Sequence, residues 1–191
     1  MQPIKIDLLI NSRWIIPVLP ENRVFENCAL AIDQQKIVGI YPQAAAQSKF
    51  DAASVVDLAD HILMPGLVNA HGHAAMSLLR GYADDLPLKP WLEEHIWPVE
   101  ARVLSEQFVA DGTNLAMAEM IKTGTTCFAD MYFFADTVAE QVQRSGMRSQ
   151  IGFTVFDFPT AGGKDPDDYI HKGLQLRDSY KGDGLIKIAC A

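Results

Sequence analysis

The chain has 191 residues, with 16 Lys and Arg against 24 Asp and Glu and a formal charge of −8. Hydrophobic residues make up 49% and charged residues 21%, a composition too apolar for a disordered chain and ordinary for a globular one. The acidic balance lacks the basic face that displaces counterions from DNA or RNA, so no nucleic-acid partner is expected. No apolar stretch approaches the roughly 20 residues that a bilayer demands. Lys5, Asp7 and Arg13 interrupt any signal-peptide core, so no membrane partner is expected either. Cys28, Cys127 and Cys190 are odd in number and widely spaced, which fits a reducing cytoplasm better than a disulfide scaffold.

Residues 1–62 read as short strands and turns. Near-alternation of apolar residues predicts a strand over Ile4–Ile10, followed by a turn at Asn11–Ser12. Leu30–Ile32 and Lys36–Ile40 flank Asp33-Gln34-Gln35 and predict a hairpin, and Val55–Leu58 a further short strand. These are too few strands to close two sheets alone. From residue 63 the pattern alternates strand and helix. Leu63–Ala70 reads as an apolar strand ending in His71-Gly72-His73. A helix follows over Ser105–Thr123, N-capped by Ser105 and closed by Gly124. Then come a strand at Thr125–Met131, a helix at Asp136–Ser145 capped by Asp136, and a strand at Met147–Phe156. A helix opens at Asp165-Pro166, with Tyr169, Ile170, Leu174 and Leu176 as its apolar side, and a strand closes the chain at Leu185–Ala191. Strand–helix alternation of this kind predicts an α/β fold with a parallel sheet. The sequence stops in its last strand, where a parallel strand ordinarily leads into a helix, and a complete (β/α)8 barrel needs far more chain. The expected organisation is a β domain over 1–62 and part of a larger α/β domain over 63–191.

The chemistry concentrates at His71 and His73. Side chains two apart in a strand share a face, so two imidazoles at a strand's C-terminal end converge above the sheet, where α/β barrels place their active sites. Imidazole is the commonest ligand for zinc and related metals; the bland alternative is two ordinary loop histidines. His95 has no ligand-spaced partner and His171 falls on an outer helix, so both read as structural or surface residues. Cys127 reads as a small buried hydrophobe, and Asp130, at a strand end, as an internal hydrogen-bonding group.

The run Leu63-Met64-Pro65-Gly66-Leu67-Val68-Asn69-Ala70-His71-Gly72-His73 resembles the opening strand of the metal-dependent amidohydrolases. Leu78-Leu79-Arg80-Gly81, Ala83-Asp84-Asp85-Leu86, Trp91-Leu92 and Asp130-Met131-Tyr132-Phe133 resemble the branch containing 5′-methylthioadenosine/S-adenosylhomocysteine deaminases and chlorohydrolase-like proteins. The resemblance implies the first four or so βα units of a (β/α)8 TIM-type barrel, preceded by part of a small β-sandwich domain. It implies His71 and His73 as ligands of one zinc, with iron or manganese as alternatives. It further implies that the remaining ligands and the proton-handling groups lie beyond Ala191, so that no catalytic group stands within this chain and the chain as given is inactive. Glu100 matches a position that contacts ribose hydroxyls in the branch; its alternative is a solvated helix glutamate among Glu93, Glu94 and Glu106. Trp91 either walls an apolar part of the substrate or packs on the barrel. Some members carry an arginine at the end of the third barrel strand. Here Phe153 stands there, and no arginine occurs between Arg148 and Arg177, which favours an apolar 5′ tail over a charged one. The implied activity is hydrolytic deamination of a small purine nucleoside, 5′-methylthioadenosine ahead of S-adenosylhomocysteine, by a cytoplasmic homo-oligomer. Guanine deaminase, a triazine chloro- or aminohydrolase, and a catalytically inert binding fragment are the alternatives.

Overall fold

A computed structural model describes residues 2–191. The chain divides into two compact units, Met1–Pro65 and Gly66–Ala191. In the first, β1 (Ile4–Ile15), β2 (Phe25–Asp33), β3 (Lys36–Pro42) and β4 (Phe50–Leu63) form one sheet in the order β3-β2-β1-β4, with α1 (Gln43–Lys49) between β3 and β4. The predicted hairpin is present as β2–β3. Its turn has two residues rather than three, because Asp33 pairs with Lys36. Gln34 and Gln35 take φ of 48° and 62°, the left-handed pair that matches strand twist, and the Gln34 N–H donates to Asp7 Oδ2 at 2.7 Å.

The turn expected at Asn11–Ser12 is absent, and β1 runs through both residues to Ile15. A polar group of each finds a partner in the distant strand β4 instead, although Asn11 Oδ1 stays buried without one among the described residues. Asn11 Nδ2 donates to Asp57 Oδ1 at 2.7 Å, and Ser12 Oγ is within 3.0 Å of the His61 carbonyl. A buried polar group so satisfied no longer forces a turn. β4 is likewise longer than Val55–Leu58, because it pairs in parallel with all of β1, from Ile4–Phe50 to Ile15–Leu63. Leu63 therefore belongs to the first unit, and the division falls at Pro65–Gly66 rather than at 62–63. The core of this unit is Ile6, Leu9, Phe50 and three alanines, Ala29, Ala31 and Ala46. The alanines leave room for α1 to approach the sheet.

In the second unit β5 (Leu67–Asn69), β6 (Thr125–Met131), β7 (Arg148–Phe153) and β8 (Ile186–Cys190) form a parallel sheet in that order. This is the expected α/β class. β5 has three residues instead of the predicted Leu63–Ala70, since Leu63 is committed to β1 and Pro65 has no N–H to give a ladder. β7 ends at Phe153, three residues short of the expectation.

Between β5 and β6 the chain makes a 3-10 turn (Ala74–Leu79), α2 (Leu88–Pro90), a wide π-type turn (Trp91–Ile96), α3 (Trp97–Val103) and α4 (Glu106–Lys122). Only α4 was predicted. Ser105 caps it, accepting from the Phe108 N–H at 3.1 Å, an interaction worth about 1 kcal/mol. α5 (Ala135–Ser145) and α6 (Pro166–Ser179) follow β6 and β7. Asp136 does not cap α5. The helix starts one residue earlier, after Phe134 at φ 53°, and Asp136 lies in its first turn, where a carboxylate favours the helix dipole. Asp165 caps α6 as predicted, accepting from the Asp168 N–H at 2.8 Å.

The buried side of α6 is Tyr169, Gly173 and Leu176, whereas Ile170 and Leu174 are about two-fifths exposed, at 41% and 40%. The absent side chain of Gly173 admits the Phe153 ring, which a Cβ there would meet at 2.3 Å. The core of the unit is built on Val109, Met117, Phe128, Val138, Val142, Ile151 and Ile186. The backbone of α4 lies against the 3-10 turn, so that a Cβ on Gly112 would come within 2.3 Å of the Ala75 carbonyl oxygen. Among the described residues no helix is long and apolar enough to cross a membrane.

Candidate metal centre

His71 and His73 follow the short strand β5 and sit beside the C-terminal end of β6. Gly72 lets the two backbones meet: its carbonyl accepts the Met131 N–H at 3.2 Å, and a Cβ there would lie 3.2 Å from the Ala129 oxygen. The two imidazole centroids are 5.2 Å apart with planes 80° apart. His73 Nδ1 lies 2.6 Å from the Met131 carbonyl oxygen. A carbonyl only accepts, so Nδ1 carries the hydrogen, and in the neutral ring Nε2 is left as the lone-pair nitrogen. This is the backing a metal-binding histidine needs to fix its tautomer and orientation.

Three consecutive residues, the last two of β6 and the one that follows, hold the surroundings of the pair. Asp130, 4% exposed, accepts the Ala74 N–H at 2.5 Å through Oδ1. Its Oδ2 is buried without a partner among the described residues. Burial pushes the Asp130 carboxyl up to about 6, opposed by the Ala74 N–H, by His73 and by the Met131 N–H. Met131 supplies the carbonyl to His73. The Tyr132 hydroxyl donates to Glu100 Oε1 at 2.5 Å, and both residues are buried, at 6% and 7% exposure. Burial raises the Glu100 carboxyl above its ordinary range, while the Tyr132 hydrogen bond and the proximity of His73 pull it down. Burial, and then the neighbouring carboxylate, raise the Tyr132 hydroxyl too, so the phenol stays protonated and donates.

Glu100 is therefore no solvated helix residue. It stands with Ile96 and Val99 on one helical face, and all three are buried. That i, i+3, i+4 pattern was present in the sequence and marks a carboxylate on an apolar stripe. Trp91 is half-buried at the start of the π-type turn, and among the described residues no hydrogen bond or ring contact joins it to the histidines. His171 is exposed and His95 half-buried. Cys127 is only half-buried, and the three thiols are unpaired. The role of Tyr132 escaped the sequence reading, because its partner is 32 positions away. A cavity of about 510 Å³ is lined by Tyr132, Phe133, Phe134, Phe153 and Leu176 but by neither histidine nor Glu100; the histidines stand outside it.

The donor set suits a divalent metal in type and orientation, but it supplies two ligands. Among the described residues no group of three or more candidate ligands comes together, whereas a catalytic zinc takes three protein ligands and a water.

Residues 62–190 match the amidohydrolase family. The chain belongs to that family. A 5-methylthioadenosine/S-adenosylhomocysteine deaminase of Saccharophagus degradans is 54% identical over 95% of this chain and 41% of its own length. The crystal structure of a zinc-bound adenosine deaminase from Xanthomonas campestris is 46% identical, with a TM-score of 0.96 over 99% of this chain and 43% of that one. The zinc-complexed atrazine chlorohydrolase TrzN of Arthrobacter aurescens, 21% identical with a TM-score of 0.83 over 96% of this chain and 46% of that one, shares the fold. This amidohydrolase chain thus spans about two-fifths of the length of the curated relatives it matches.

Proposed function

We propose that this chain is the metal-binding first part of a zinc-dependent enzyme that hydrolyses the C6 amino group of adenosine-type purines, 5′-methylthioadenosine first and S-adenosylhomocysteine behind it. The observation that carries the reading is the end of β6, where one carbonyl fixes a metal-directed imidazole and the next side chain meets a buried carboxylate. The deaminase names of the relatives and the zinc of the Xanthomonas structure support it. In this reading the four βα units open a (β/α)8 barrel, residues 1–62 open a β-sandwich, and the further ligands and proton-transfer groups lie beyond Ala191.

His73, through Nε2, and His71 would hold the metal. A bound zinc supplies Lewis-acid activation of water. Overall, water oxygen bonds to C6, the C6–N bond breaks and ammonia leaves, with no oxidant consumed. Glu100 accepts from the vicinal ribose hydroxyls through charge-assisted hydrogen bonds, and Trp91 walls an apolar part of the nucleoside. Phe153, its ring packed on Gly173, offers no charge to a homocysteine carboxylate, which places the apolar methylthio substrate first. Unpaired thiols fit a cytoplasmic enzyme, and we place it there as a homo-oligomer acting on a small molecule.

The test is ammonia release by the zinc-loaded full-length protein on 5′-methylthioadenosine, guanine and a chlorotriazine. Turnover is expected on the first. Turnover on guanine or the triazine, with none on adenine nucleosides, overturns the reading.

A further inference from the structure

Glu100 has three rotatable side-chain bonds, and an exposed glutamate would scatter over many rotamers. Here its carboxylate lies on the apolar side of α3, and its one side-chain hydrogen bond among the described residues comes from the Tyr132 hydroxyl. Tyr132 in turn is closely packed. It is 6% exposed, and its ring meets Phe133 edge-on at 5.2 Å. Its backbone continues directly from Met131, the residue that orients His73. A packed phenol therefore reaches from just past the strand end that sets the His73 imidazole to the carboxylate on the helix. One carboxylate oxygen is occupied by this donor, which leaves the other for a ligand.

We propose that Tyr132 is a positioning residue: its hydroxyl holds Glu100 in the orientation that accepts the ribose hydroxyls, and the end of β6 thereby fixes the substrate carboxylate and the metal histidine to one frame. The proposal rests on the reading of Glu100 as the ribose acceptor. Without the hydroxyl, a buried carboxylate loses its donor, which is costly, and it turns away or takes up a proton. Either outcome weakens it as an acceptor for two neutral hydroxyls, while nothing at the metal changes.

The experiment compares full-length wild type, Tyr132→Phe, Glu100→Ala and the double variant on adenosine and on 2′,3′-dideoxyadenosine, with zinc content and thermal midpoint measured for each. Phenylalanine keeps the ring and its packing. Tyr132→Phe is expected to raise KM for adenosine roughly tenfold, the loss of one charge-assisted bond. KM for the dideoxy substrate, kcat and zinc content should stay within about twofold, well inside that one-bond loss. In the double variant the Tyr132 change should add nothing to the Glu100 change, because both act through one contact. Equal losses on the two nucleosides, or additive effects in the double variant, overturn the positioning role in favour of general structural damage. A wild type that favours adenosine over its dideoxy analogue beside an unchanged Tyr132→Phe overturns the inference alone. A wild type that releases no ammonia from either nucleoside, nor from 5′-methylthioadenosine, overturns the functional reading and the inference with it.

Discussion

Strands β5 and β6 are neighbours in one sheet and are built in opposite ways. β5 has three residues, and Leu67 and Val68 are 54% and 66% exposed. β6 has seven, with Phe128 fully buried and Asp130 at 4%. Yet β5 leads into the histidines, while β6 contributes a carboxylate and a carbonyl, and the residue that follows it a phenol. The imidazoles follow the weakly supported strand, and His73 is held by the strongly supported one. Rigidity and reactivity are divided between two segments that meet through Gly72.

The sharpest way to break this division is at the histidines themselves. His71→Ala or His73→Ala should abolish turnover of the full-length enzyme and strip its zinc, while the fold, resting on β6, survives. Metal analysis beside circular dichroism checks both halves. Cutting the supporting strand should do the reverse. Phe128→Ala empties a fully buried site and should cost about 3–5 kcal/mol of stability, read by denaturant unfolding, with activity lost as a consequence of unfolding.

Asp130 sharpens the comparison through pH. Its carboxyl binds a proton more tightly folded, at about 6, than at its ordinary 3.8. The stability this contributes is therefore complete below the lower value and gone once pH rises past the upper one. In metal-free protein, Asp130→Asn, which does not titrate, should gain on wild type between about pH 4 and pH 7, by at most about 3 kcal/mol. Parallel unfolding curves at each pH, showing no such trend, would remove Asp130 from the supporting role. Smaller still is Glu100→Ala, which should cost about 1.5–3 kcal/mol in binding of ribosyl substrates. The ratio of KM for adenosine and for its dideoxy analogue reads it, and an unchanged ratio would separate Glu100 from the sugar.

The sequence carried the elements whose signals are local. β6, the Ser105 and Asp165 caps and the β2–β3 hairpin all follow from residues within a few positions of one another. The continuous β1 did not, because Asn11 and Ser12 look like a turn until Asp57 and the His61 carbonyl, 46 and 49 positions on, absorb their polar groups. The path from 88 to 103 was missed for another reason. Pro87, Pro90 and Pro98 interrupt its helical pattern, yet in the structure Pro90 opens a wide turn and Pro98 enters the first turn of α3, where its missing N–H costs little. The histidine pair was legible from its spacing and residue type, although both residues lie past β5 and the Met131 carbonyl, not strand alternation, orients His73. Tyr132 and the Met131 carbonyl were not, since their roles exist only once the chain has folded back across 32 and 58 residues.

The contact of Gly112 with Ala75 gives the proposed metal site a second support, from behind. Ala75 is two positions from His73, and a Cβ at 112 would meet not a side chain that can swing aside but the carbonyl, the Cα and the carbonyl carbon of Ala75, at 2.3, 2.8 and 2.9 Å. Relief can come only from sliding α4 or lifting the turn that carries the imidazole. A single methyl group in the middle of a helix, on a residue with no chemistry of its own, is then transmitted as a displacement of the His73 imidazole. The positions able to disturb this site therefore extend to the face of α4 that meets the turn, where the determinant is the lack of a side chain.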